Sequence, residues 1–116
     1  MANVLKNLAR SLVATAATQY VTAANPGTPN NQRVTIKRLK VVNINAGGGA
    51  AATISVWAGT LADDAHAIVK SINLNGGEAL EWDPTTIILE PGESLYAQAS
   101  VASTLSLGAD GLRQTE

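Results

Sequence analysis

From residue 33 to 45 the chain reads Arg-Val-Thr-Ile-Lys-Arg-Leu-Lys-Val-Val-Asn-Ile-Asn, with β-branched side chains interleaved with polar ones. A break around Gly47, Gly48 and Gly49 comes next, and then Ala-Thr-Ile-Ser-Val-Trp-Ala over 52 to 58 resumes the alternation. Period-two patterning on both sides of a glycine-rich break predicts two half-buried strands joined as a hairpin. The phase of the first changes along its length, since Val34 and Ile36 are even, Leu39 and Val41 odd, and Val42 and Ile44 even again. A bulge or bend between 37 and 42 accounts for the change.

The same periodicity predicts short strands near 11 to 16 and 19 to 23, with a Pro- and Gly-rich connection from 23 to 32. Ile68, Ile72 and Leu74 mark another strand, Leu80 and Trp82 the next, and residues 86 to 89 one more. Residues 61 to 67 are a polar excursion with a helical turn. Leu95, Ala97 and Ala99, then Leu105, Leu107 and Ala109, read as the two sides of a last hairpin. About eight short strands at this spacing predict an all-β fold, an antiparallel two-sheet sandwich with jelly-roll-like connections. Residues 1 to 10 are expected to form an N-terminal arm and residues 11 to 116 a single domain.

Composition narrows what such a domain rests on. Aromatic residues make up 3% of 116 residues, with no Phe and no Cys, so the core is built from Val, Ile, Leu and Ala without disulfides or thiolate chemistry. Lys6 and Arg10 lie among apolar residues near the start. The uncharged stretch beside them is mixed with Ser and Thr, short of a signal-peptide core and of the roughly 20 residues that span a membrane. The segment is therefore read as mature protein made in the cytoplasm, with no membrane association.

Charge is divided along the chain. Residues 1 to 62 hold six basic and no acidic residues, whereas residues 63 to 116 hold nine acidic and two basic. Strands from the two halves can neutralise each other within one sheet. Alternatively, a basic strand can meet an acidic surface on a neighbouring subunit or a larger assembly. The basic residues between 33 and 40 lack interleaved aromatics, which argues against nucleic acid.

No catalytic constellation stands out. His66 is the single histidine, near Asp63 and Asp64, a grouping typical of a solvated turn. Glu81 with Asp83, and Glu90 with Glu93, are carboxylate pairs at strand ends and turns, where charges are ordinarily placed. The glycine clusters lack the Lys-Ser/Thr of a phosphate loop. No cofactor or metal is expected, and the chain is read as a non-enzyme. Trp82 shares a face with Leu80 and is expected in the core. Trp57 and Tyr96 lie opposite their strands' apolar sets, as a subunit contact or as a sugar-stacking platform, with the subunit contact preferred.

The order Gln-Tyr-Val-Thr, a Pro/Gly loop, the basic strand ending in Val-Val-Asn, a small-residue strand, Leu-Asn-Gly-Gly-Glu-Ala-Leu, Leu-Glu-Pro-Gly-Glu-Ser-Leu-Tyr-Ala-Gln-Ala-Ser and a closing Gly-containing strand resembles small virion proteins of tailed bacteriophages. The resemblance spans about residues 19 to 113. It implies a jelly-roll-like domain, commonly homotrimeric, built into the particle as a capsid decoration protein or as part of the neck, tail or fibres. On that basis the expected role is a homotrimeric decoration (cement) protein on the outer surface of the virion, contacting the major capsid protein. Lys6 and Arg10 would meet the capsid, Lys37, Arg38 and Lys40 an acidic partner, and Trp57 with Tyr96 the neighbouring subunit. The alternatives are a neck, tail or fibre component, or a carbohydrate- or receptor-binding module.

Overall fold

In the computed structural model, which describes residues 6–23, 32–45, 47, 49–82 and 86–115, the chain forms nine strands and one short 3-10 turn. They are β1 (Lys6–Leu12), β2 (Thr18–Thr22), β3 (Gln32–Asn43), β4 (Ala52–Gly59), the turn Asp64–His66, β5 (Ala67–Leu74), β6 (Ala79–Trp82), β7 (Ile87–Leu89), β8 (Ser94–Ala99) and β9 (Leu105–Thr115). All pairings are antiparallel. Sheet I has the order β1-β9-β3-β6, with β7 pairing the other half of β3, and sheet II the order β2-β8-β4-β5. If β6 and β7 count as one interrupted edge strand, the eight strands follow the jelly-roll order, with the chain passing repeatedly between two facing sheets.

The two expected hairpins are therefore crossings. β3 lies in sheet I and β4 in sheet II, and β8 and β9 are divided in the same way. Facing strands and hairpin partners both turn alternate side chains toward one core, so periodicity alone does not separate them. Val34, Ile36, Leu39 and Val41 from β3 and Ile54 and Val56 from β4 all enter that core, as do Leu95 and Ala97 from β8 and Leu105 and Leu107 from β9. Burying each of the larger side chains contributes about 1.5 to 3 kcal/mol.

The phase change in β3 is a bulge. Ile36 pairs with Gly111 and Arg38 with the adjacent Asp110, leaving Lys37 as the extra residue. After it Leu39, Val41 and Asn43 point inward, whereas Val42 is half-buried and Ile44 is exposed, so the expected second change of phase does not occur. Gly111 makes the bulge sterically feasible: a Cβ there would lie 2.0 Å from the Thr35 carbonyl oxygen. A second bulge, at Leu8 between Asn7 and Ala9, sets both Leu8 and Ala9 against the core. It breaks the alternation that marks a strand, which is why residues 6 to 10, expected in an arm, instead begin β1 and pair with β9. In β5 a bulge around Ser71 (φ 51°) likewise moves the buried positions to Val69 and Leu74, leaving Ile68 and Ile72 exposed. The Pro/Gly connection expected at 23 to 32 lies, but for its ends, outside the described residues.

Two motifs acquire a physical reason here. The turns Asn75 to Glu78 and Glu90 to Glu93 share one design, with a glycine at positive φ in third place (Gly77, 82°; Gly92, 91°), as type II turns require. In each, the closing glutamate's carboxylate accepts the first residue's N–H, at 2.7 Å in the first turn and 2.8 Å in the second. Both turns carry the chain from one sheet to the other. The Val-Val-Asn motif ends in Asn43, which is buried. Its Nδ2 donates to the carbonyls of Ala50 and Leu74, both at 2.9 Å, and its Oδ1 accepts the Asn45 N–H at 3.0 Å. That side chain thus ties the end of β5 and the approach to β4 to the end of β3.

Candidate functional site

The residues of interest lie on the outer faces of the two sheets. On sheet I the register aligns Arg10 of β1, Gly108 of β9, Lys40 of β3 and Glu81 of β6 in one row across four strands. The next row is Leu12, Ser106, Val42 and Ala79, and on the other side Asn7, Asp110 and Arg38 align. Strands lie about 4.8 Å apart, so the backbones of Arg10 and Lys40 are roughly 10 Å apart with only a hydrogen atom on the residue between them. The result is a groove of about 290 Å³ lined by Arg10, Arg38, Lys40, Val42, Ser106, Leu107, Gly108 and Asp110.

Three cations line the groove against one carboxylate. Lys40 Nζ lies 3.6 Å and Arg38 Nη2 4.0 Å from Glu81, pairs exposed enough to add little stability. Arg10, on the far side of Gly108, has no such partner among the described residues. Of the basic residues expected from sequence to meet a partner, the fold brings Arg10, Arg38 and Lys40 together. Lys37 is the extra residue of the bulge and does not line the groove. Lys6 pairs its backbone with Gly111, and its side chain lies outside the described residues. Gly108, Ser106 and Asp110 escaped notice in the sequence. The one available signal was a glycine within an alternating strand, which marks a close approach or a missing side chain.

The neutralisation expected between the two halves of the chain is visible on the same sheet. Arg33 on β3 pairs with Glu90 at 3.1 Å, and Arg38 and Lys40 share Glu81. The carboxylate pairs considered for hydrolysis are dispersed into other work: Glu90 faces Arg33, Glu93 closes its turn, Glu81 faces the cations of β3, and Asp83 lies outside the described residues.

On sheet II the row is Gln19, Tyr96, Trp57 and Ala67 across β2, β8, β4 and β5. Trp57 does not serve as an exposed anchor, because it is only 5% exposed although it stands outside the main core cluster. The excursion between β4 and β5 folds back beside it. Tyr96, half-buried, donates its hydroxyl to the Thr60 carbonyl at 3.1 Å and accepts from Gln19 Nε2 at 3.0 Å. The excursion is further tied by the Lys70–Asp64 ion pair and by His66 Nδ1, which donates to Asp63 Oδ1 at 2.5 Å. That last bond holds the Asp63 carboxyl below its ordinary range. His66 also occupies the space over Gly59, where a Cβ would lie 2.3 Å from its ring. His66 is thus a clasp on a turn. The Trp57 indole N–H is buried without a hydrogen-bond partner among the described residues. Among those residues no group of three His, Asp or Glu side chains is placed to hold a metal ion.

No family model and no curated protein matches the chain. A solved structure titled "Crystal structure of Agl-KA catalytic domain" is 18% identical over 91% of this chain, with a TM-score of 0.29. The match covers 21% of that structure's chain, and a superposition so loose bears on neither fold nor chemistry.

Proposed function

We propose that this protein is a non-enzymatic structural component of a tailed-phage virion, a homotrimeric decoration protein that docks on the outside of the capsid through the outer face of sheet I. The observation that carries the reading is the convergence of Arg10, Arg38 and Lys40, from strands on either side of β9, on one open groove. A basic groove on a rigid sheet suits an acidic surface of a larger assembly, where charge complementarity sets partner and orientation. The jelly-roll order agrees with the resemblance to small virion proteins, and Glu78, Glu81, Glu90 and Glu93 are spent on turns and ion pairs. Burial of Trp57 removes the exposed ring that a glycan platform would use and also the anchor expected at a subunit contact, so the homotrimer rests on the resemblance.

A protein that binds only the assembled shell stabilises it by mass action, by roughly 2.7 kcal/mol per site at a hundredfold excess over Kd. The test is the copy number of this protein in purified particles, by quantitative mass spectrometry against the major capsid protein. Hundreds of copies fit a decoration protein. A few to a few dozen would move it to the neck, tail or fibres, and its absence from particles would overturn the virion reading. Sedimentation of the free protein tests the trimer.

A further inference from the structure

We propose that the groove over Gly108 receives a carboxylate side chain from an extended segment of the partner protein, whose apolar side chain two residues along lies on Leu12 and Val42. The inference rests on the reading that the outer face of sheet I is the docking face, and it names the chemistry of the contact.

In the row Arg10, Gly108, Lys40, two cations flank a position without a side chain. The gap leaves room for an acidic group to accept from both, and hydrogen bonds to ionised groups are the strong ones. The adjacent row is apolar at its flanks: Leu12 is 47% exposed and Val42 half-buried, with Ser106 between them. Residues two apart on a strand point the same way and lie about 6.7 Å apart, the advance from one row to the next. An acidic residue and an apolar residue at that spacing therefore match both rows. Polyanions fit worse, because Glu81 closes the far end of the basic row and Asp110 lies within the lining. A repeating phosphate backbone needs a continuous basic track, and Asp110 opposes a doubly charged phosphate more than a singly charged carboxylate.

The experiment is a titration of the ¹⁵N-labelled full chain with the capped peptide Thr-Glu-Thr-Val-Thr, with its Gln-for-Glu counterpart, and with inorganic phosphate. The expected result is a cluster of amide shifts at Arg10, Gly108 and Lys40 with the Glu peptide, weakened by salt and about tenfold weaker with the Gln peptide. Gly108→Val should abolish the shifts without disturbing sheet II, since a Cβ at Gly108 meets nothing within 4 Å and β-branched residues suit strands. If that variant fails to fold, Arg10→Gln with Lys40→Gln takes its place. No shift at these residues, equal response to the Gln peptide or to phosphate, or binding that survives both variants would overturn the inference. Particle binding separates the two readings. If Gly108→Val protein still decorates particles, the groove assignment fails and the docking face stands; if Arg10→Glu with Lys40→Glu protein still does, the docking face itself fails.

Discussion

Outside sheet I, charged side chains stand half-exposed around a groove: Arg10, Arg38 and Lys40 against Asp110 and Glu81. Outside sheet II, the positions on β2, β8 and β4 are uncharged, and the largest side chain, Trp57, is buried, in the row whose Tyr96 hydroxyl holds the Thr60 carbonyl of the β4–β5 excursion. Both faces come from the same alternating pleat. Their difference arises from the strand at the centre of one sheet and the connection that leaves the other. Sheet I is joined at its middle by β9, which offers Gly108 where its neighbours offer cations. Sheet II carries an excursion tied to its outer row by the Tyr96 hydroxyl and clasped over Gly59 by His66, and the outward Trp57 of that row is buried. An outward-facing residue is available for recognition only if no connection returns over it.

The largest expected effect tests that division. Trp57→Ala should cost about 3 to 5 kcal/mol in denaturant unfolding, as for other buried tryptophans. Unchanged stability with a lowered oligomer mass would instead return Trp57 to a subunit contact. On sheet I the two glycines should part company. Gly111→Ala drives a Cβ into the Thr35 carbonyl and should cost roughly 1 to 3 kcal/mol, whereas Gly108→Val should be nearly neutral, as thermal denaturation will read. Arg10→Glu with Lys40→Glu sets a second carboxylate opposite Glu81 and should cost about 1 kcal/mol while removing particle binding, the reverse of the Trp57 profile.

The smallest effect concerns the clasp on sheet II. The bond from His66 holds the Asp63 pKa below its ordinary value, so its contribution is present at neutral pH and is lost as pH falls past the ordinary carboxylate range through the depressed folded-state midpoint. In His66→Gln the Asp63 midpoint should rise toward the ordinary carboxylate value in an NMR titration. An unchanged midpoint would mean that the clasp does not hold the carboxylate.

Much of this fold was legible from periodicity. The sandwich and a bulge between 37 and 42 came from alternation, although nine strands stand among the described residues where about eight were expected and the second of the two expected slips in β3 is absent, and Trp82 packs against the core as its pairing with Leu80 implied. The crossings were not legible, because Val34 and Ile54 would show the same alternation whether their strands paired or faced each other. The groove was legible only in part. Arg10 and Lys40 are 30 positions apart and meet because β9 inserts between β1 and β3, a neighbour relation that no local pattern encodes. Trp57 misled for a related reason, since alternation places a side chain on a face but does not say whether that face stays exposed.

The place of β9 also sets an order of events. It pairs on one side with β1 and on the other with β3, so these two strands are joined in one sheet only once β9 has formed between them. Such distant pairings fold slowly, and the rows of sheet I stay incomplete while the chain is being synthesised. The groove thus exists only once β9 is in place. A chain lacking β9 would have both basic strands and no groove between them, so on the proposed reading it would have no seat for a partner.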